Sequence, residues 1–148
     1  MWNEIFKKAE LEKWAVPHFN ISNLESLKAV VAACVKLKSP VMIGTSEGER
    51  RFLGGRQAVV LVQAFREETG IPIMLNADHH KSFDAIKEAV DAGYDSVLFD
   101  GSALSFEENV KTTLRVVEYA KSKNPEITVE GELGYLRGSS EILKEKIK

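Results

Sequence analysis

Four times along this chain a short apolar run ends in polar residues and gives way to a segment whose apolar positions recur every three or four residues, and a fifth apolar run follows. The runs are 14–21 (WAVPHFNI), 41–45 (VMIGT), 71–76 (IPIMLN), 96–99 (SVLF) and 127–129 (ITV). Runs this short, bounded by Gly, Pro or polar clusters, read as strands, and the periodic segments of about 10–15 residues between them read as helices. Strand alternating with helix demands a parallel sheet built from crossover units. Right-handed crossovers then bring the carboxyl end of every strand to one rim. The chain is therefore α/β and, at 148 residues, fits a single domain spanning 1–148.

The helices follow from spacing and punctuation. Segment 24–36 places Leu27, Val30, Val31, Cys34 and Val35, with Leu37 just beyond, on a stripe that should face the sheet, with Ser22 or Asn23 as its cap. Segment 56–69 is predicted to bury Val59, Val60, Val62, Ala64 and Phe65 and to stop at Gly70. Ser82 should cap 83–92, which Gly93 ends. Ser105 should start a helix whose buried stripe runs Val110, Leu114, Val117 and Ala120, ended by Asn124-Pro125. Residues 1–13 form an amphipathic lead-in helix over one end of the core, 47–51 read as a charged stretch before a Gly54-Gly55 loop, and 134–140 as a loop before a lysine-rich tail.

One strand end is chemically richer than the others. In 71–82 (IPIMLNADHHKS) the apolar run breaks into Asn76, Asp78, His79 and His80. The carboxyl ends of strands in parallel α/β proteins are where ligands bind. Asp78 could move a proton while a neutral His79, on the other face of the strand end, holds a metal. The same two residues could instead serve as a bare acid/base pair or do no more than cap a helix and bond locally. Asp100 and Glu132 add hard oxygen donors at two further strand ends, Asn20, Ser46 and Glu130 lie on the same rim, and a His with carboxylates suits zinc or another divalent metal. His80 reads as solvent-facing or as supporting the site from behind, and His18 as structural.

Composition narrows the partners. A net charge of −2 from 20 basic and 22 acidic residues leaves no basic footprint, which argues against nucleic acid. No run approaches the roughly 20 apolar residues of a spanning helix, so a membrane partner is not indicated. The single Cys34 rules out an internal disulfide and suits a reducing, cytoplasmic location. There is no G-x-G-x-x-G, P-loop or Cys-x-x-Cys.

Four segments together carry a family resemblance: FNISNLE at 19–25, the Asp78-His79 strand end, DAGYDSVLFDGSALSFEENV at 91–110 and VEGELGYLRG at 129–138. In this order and spacing they resemble the class II, metal-dependent fructose-bisphosphate and tagatose-bisphosphate aldolases over about 15–138. The resemblance implies part of a TIM (β/α)8 barrel, about five parallel strands with crossover helices. It also implies a retro-aldol cleavage of a sugar phosphate such as fructose 1,6-bisphosphate to dihydroxyacetone phosphate and an aldehyde. By the same resemblance Asp78 handles the proton of the hydroxyl on the bond being cleaved and His79 is the first Zn2+ ligand. Asp100 and Glu132 hold the metal in a more buried position, Glu130 is an acid beside it, and Asn20 and Ser46 belong to the substrate pocket. Two departures stand out: His80, where the family usually has a small residue or cysteine, and the charged Glu47-Gly48-Glu49.

The family's second and third zinc histidines and its glycine-rich phosphate loops fall beyond the matched length, so the expectation is an amino-terminal portion of the barrel that needs a carboxyl-terminal half. A full barrel takes typically about 250 residues and eight strands. Unpaired edges at the first and fifth strands should favour self-association, giving a homo-oligomer unless that half covers them. The competing expectations are a non-catalytic metal- or sugar-phosphate-binding half-barrel, a truncated gene product, and an open doubly wound sheet with a ligand at its switch point.

Overall fold

The protein, described by a computed structural model, is defined over residues 2–134. Its elements in chain order are α1 (Trp2–Glu12), β1 (His18–Asn20), α2 (Leu24–Leu37), β2 (Val41–Thr45), α3 (Glu47–Leu53), α4 (Gly55–Thr69), β3 (Ile73–His80), α5 (Phe83–Ala92), β4 (Ser96–Phe99), α6 (Phe106–Lys123) and β5 (Thr128–Gly131). The five strands form one sheet in the order β1-β2-β3-β4-β5, every neighbouring pair parallel. A sequential order has no point where the winding reverses, which removes the doubly wound alternative with its switch-point crevice. It is the order in which the strands of a (β/α)8 barrel follow one another.

The two sheet faces differ in chemistry because successive strand residues point to opposite sides. Val41, Ile43, Ile73, Leu75, Ala77, Val97 and Phe99 point to one side and form a single core with Leu27, Val31, Ala58, Val62, Ile86, Ala89, Val116 and Ala120 of the helices. The opposite face carries a polar row in register, Asn20, Gly44, Asn76, Ser96 and Thr128. The sheet curls toward that polar face. Thr128 of β5 reaches Met74 of β3 at 4.0 Å, and Asn20 of β1 reaches Asp78 of β3 at 2.9 Å, each across an intervening strand. Curling converges the strand ends on a common space.

Helix caps fall where the sequence puts them: Asn23 accepts from the Ser26 amide at 2.8 Å, Ser82 from that of Ala85 at 3.1 Å, and Ser105 with Glu108 forms a capping box. Gly93, at φ 102°, takes the left-handed C-cap conformation that a side chain would strain. Ile5, Lys8 and Trp14 border a groove together with Lys38, Pro40 and Pro72, which places α1 and the turn after it near the entry end of β2 and β3.

Four expectations need correcting. The charged stretch 47–51 belongs to a helix, Glu47–Leu53, started by a capping box of Ser46 and Glu49, and the loop expected at Gly54-Gly55 is reduced to Gly54, since α4 starts at Gly55. β3 runs on through Asp78 and His79 to His80. In α6, Asn109, Val116 and Ala120 are buried while Val110 and Leu114 are 51% and 57% exposed. Ala120 is buried as expected, but toward the start of α6 the stripe is displaced by one position, and Phe106, Val110 and Leu114 form a second apolar face that is exposed among the described residues. In α2 and α4, Val35, Leu37, Val60 and Ala64 point outward, because Leu27, Val31, Cys34, Ala58 and Val62 already fill the narrow line against the sheet. Of the loop expected at 134–140 only Gly134 is described, and the lysine-rich tail lies outside the described residues.

Candidate functional site

The end of β3 owes its shape to one extra residue. Ala77 pairs with Val97 and His80 with Phe99, so three steps along β3 match two along β4. The surplus is absorbed at His79, whose φ of 48° is left-handed. A bulge of this kind re-aims a side chain. A regular strand would send Asp78 and His79 to opposite faces, as expected from sequence. Instead the His79 Nε2 lies 4.0 Å from Asp78 Oδ1 and the ring faces the ends of the neighbouring strands.

There it meets the two carboxylates. His79 Nδ1 is 2.9 Å from Glu132 Oε2 and 3.7 Å from Asp100 Oδ2. Both carboxylates are buried, with side-chain exposures of 9% and 4%. One donor atom from each of the three residues lies within 4.8 Å of the others. His79 Nδ1 and both Glu132 oxygens are buried without an aligned hydrogen bond. Buried polar atoms are normally satisfied, and three orphaned together, facing one another, are a set that a shared cation would complete. One imidazole nitrogen and two carboxylates fit zinc and, being oxygen-rich, other divalent ions as well.

Asp100 is prepared for such a role by its neighbours. Burial would raise its pKa, but hydrogen bonds from the Ser102 hydroxyl and amide, with the charges of His79 and Lys81, outweigh burial and hold the carboxyl below its usual range. Asp78 is held from the other side, where Asn20 Nδ2 donates to its Oδ2 at 2.9 Å and more weakly to Glu49 Oε2 at 3.3 Å. Glu49 Oε2 also accepts from the Ser46 amide at 2.7 Å. Ser46 thus joins the rim as the N-cap of α3, connected through Glu49 and Asn20 to Asp78. Glu130 stands apart from the three donors, and although the residue is exposed as a whole, desolvation of its carboxyl and the charge of Asp78 raise its pKa against the pull of His18, the Ser96 hydroxyl and His79.

His80 is not solvent-facing. It is fully buried, its Nε2 lies 3.0 Å from Arg50 Nε, and its Nδ1 lies 3.1 Å from the Asp78 carbonyl oxygen. Burial lowers its pKa, the Arg50 charge adds to that, and the imidazole stays neutral. Sequence reasoning missed Glu47, Glu49 and Arg50. Their signal was the S-x-x-E pattern at 46–49, a helix start set directly after a strand end. It also missed Ser96, buried on the polar face beside Asn76 with its hydroxyl toward the Glu130 carboxylate.

Comparison with known proteins points to one family and fold. The profile of the family described as "Fructose-bisphosphate aldolase class-II" matches residues 1–147. A fructose-bisphosphate aldolase of Geobacillus stearothermophilus is 43% identical over 141 residues, covering 93% of this chain and 48% of that protein. A probable fructose-bisphosphate aldolase of Bacillus subtilis is 40% identical, with 93% and 49% covered. Among solved structures, the YdjI aldolase of Escherichia coli K12 superposes with a TM-score of 0.78 at 31% identity, over 87% of this chain and 48% of that one. The fructose-bisphosphate aldolase of Campylobacter jejuni gives 0.81 at 27%, over 90% and 45%. A profile match over nearly the whole sequence, on a barrel segment whose strand ends gather His79, Asp100 and Glu132, shows that this chain, spanning about half the length of the curated relatives it matches, belongs to the class II fructose-bisphosphate aldolase family.

Proposed function

We propose that this chain supplies the metal-binding and proton-transferring side of an active site for retro-aldol cleavage of a ketose bisphosphate, with fructose 1,6-bisphosphate as the leading substrate and dihydroxyacetone phosphate and an aldehyde as products. The observation that carries the reading is the orphaned trio of His79 Nδ1 and the two Glu132 oxygens, with Asp100 3.7 Å from the imidazole nitrogen. Zinc is the metal that the family resemblance favours, and this donor set admits it along with other divalent ions. When bound, such an ion supplies Lewis-acid polarisation of a carbonyl and stabilises the negative charge that develops there.

The chain's own groups then have distinct tasks. Asp78 takes the proton from the hydroxyl on the carbon that becomes the aldehyde. As that O–H bond breaks, the carbon–carbon bond gives its electron pair to the ketone-bearing fragment, which separates as an enediolate and takes up a proton from solvent on the carbon that lost the bond to become dihydroxyacetone phosphate. Asn20 fixes the oxygen of Asp78 that faces away from His79, leaving Oδ1 for the proton. His79, Asp100 and Glu132 hold the cation, Glu130 serves as an acid beside it, and Asn20 and Ser46 border the substrate. The phosphate groups and the remaining metal ligands are met by the rest of the barrel, and we place the reaction in the cytoplasm, consistent with the lone buried thiol of Cys34.

Two measurements test this. Calorimetric titration with zinc is expected to give a heat that His79→Ala abolishes; identical heats remove His79 from the site. The chain with zinc is expected to leave fructose 1,6-bisphosphate intact by itself and to cleave it once a carboxyl-terminal aldolase half is added, so chelator-sensitive turnover by the chain alone contradicts the shared-site reading.

A further inference from the structure

The left-handed backbone at His79 needs something to hold it, because a non-glycine residue enters that region only where its surroundings over-determine it. The groups that do so converge on the next residue. Arg50 Nε can only donate, so His80 Nε2, 3.0 Å away, accepts. The proton of the neutral ring is therefore on Nδ1, which donates to the Asp78 carbonyl at 3.1 Å, immediately before the bulged residue. The His80 carbonyl in turn accepts the Asp100 amide at 2.9 Å. One buried residue is thus bonded to the peptide that precedes His79 and to the backbone of Asp100.

The far end of this arrangement is also anchored. Arg50 lies on α3 with a side chain only 10% exposed, and its Nη1 pairs with Glu88 of α5 at 2.9 Å. On the same helix Glu47 Oε1 accepts the Lys81 amide at 2.8 Å, gripping the chain on the other side of His80. Helix α3 therefore holds 78–81 from both ends. Packing alone would ask only for an apolar side chain of the right volume. The observed pattern uses both ring nitrogens and fixes one tautomer.

We propose that His80, oriented by Arg50, is a positioning residue that locks the Asp78–His79 bulge and so aims the His79 imidazole at Asp100 and Glu132; its bearing on the metal rests on the metal-site reading above. It touches none of the proposed donor atoms with its own ring and acts through the backbone on each side. Supporting groups of this kind typically contribute about ten- to a hundredfold to metal affinity.

The test has one arm that needs no metal and one that does. In the metal-free chain, nitrogen-15 spectra of the imidazoles are expected to show His80 protonated on Nδ1, and the amide-to-α-proton coupling of His79 to report its left-handed φ. His80→Ala is expected to move that coupling to the extended-strand value. An Nε2-protonated His80, or a coupling that His80→Ala leaves unchanged, overturns the proposal. In the second arm, zinc affinity by calorimetry should fall about ten- to a hundredfold in His80→Ala and by less in Arg50→Ala. His80→Asn, whose amide can still donate to the Asp78 carbonyl, should recover most of the loss. Equal affinities in all four proteins, with circular dichroism showing them folded, contradict it. If wild type takes up no zinc at all, the metal reading falls while the tautomer and the His79 coupling still decide the role of His80. Should His80→Ala fail to fold, Arg50→Ala and His80→Asn carry both arms.

Discussion

The side-chain amide of Asn20 donates to the carboxylate of Asp78 at 2.9 Å, linking the first strand of the sheet to the third. The bond leaves the other Asp78 oxygen toward His79, so it sets which oxygen can receive a proton. A hydrogen bond to a charged group contributes about 1.5–3 kcal/mol, and each 1.36 kcal/mol is about tenfold in rate. Asn20→Ala is expected to lower the cleavage rate of the assembled aldolase about ten- to a hundredfold and to lower its thermal stability as well. Stopped-flow or coupled assays check the rate; wild-type turnover in the variant removes Asn20 from the proton-transfer step.

Gly44 is the companion to that bond. A Cβ there would sit 2.1 Å from Asn20 Oδ1 and 2.4 Å from His18 Nε2, closer than real contacts allow. Gly44→Ala should therefore displace Asn20 from Asp78 at little cost in stability, because both atoms it meets are the ends of side chains on the exposed strand β1, which can swing aside. Chemical denaturation measures the stability, and the Asn20 side-chain amide resonance reports the displacement. An unshifted amide resonance in the folded variant argues against the coupling of these positions.

Much of this was legible in the sequence, for a physical reason. Strand and helix carry different periods, so the alternation at 41–45, 83–92 and 96–99 gives the boundaries of β2, α5 and β4 as observed. Asp78, His79, Asp100 and Glu132 could be nominated because a parallel sheet delivers strand ends to one rim, and the structure brings the last three within reach of one cation. Three things were hidden. The seven-residue α3 is too short and too charged to show an apolar stripe, and only its capping box announces it. The bulge at His79 depends on pairing with β4, which no local pattern records. The burial of His80 depends on Arg50, 30 positions earlier in the chain.

The buried tyrosine of β4's approach sets an alkaline limit. Tyr94 is 2% exposed and its hydroxyl lies 2.8 Å from Thr45 Oγ1. Burial raises its pKa, partly offset by the bond to Thr45 and by Arg50. A folded-state pKa above the unfolded value of about 10 means that the neutral phenol's contribution is complete below about pH 10 and is lost as pH rises through the folded value. Tyr94→Phe should lose about 0.5–1.5 kcal/mol at pH 8 yet fall less steeply between pH 10 and 11. Urea midpoints across that range decide it, parallel curves for the two proteins being the contrary outcome.

The uncovered face of α6 predicts association. Phe106, Val110 and Leu133 border a groove of about 280 Å³ beside β5, which among the described residues pairs on one side only. Apolar surface next to an unpaired strand edge favours self-association. Light scattering of the isolated chain is expected to give dimers or larger species, and Val110→Glu to shift the distribution toward monomer. A monodisperse wild-type monomer stands against this expectation.

In the proposed site the bulge of β3 aims His79 at a cation shared with two neighbouring strand ends. Crystals grown with zinc and measured on both sides of the zinc absorption edge test it directly. The expected result is an anomalous peak about 2.0–2.2 Å from His79 Nδ1, with oxygens of Glu132 and Asp100 in the same coordination shell. A map with no peak there, or with zinc bound only at His18 or another surface group, contradicts the account.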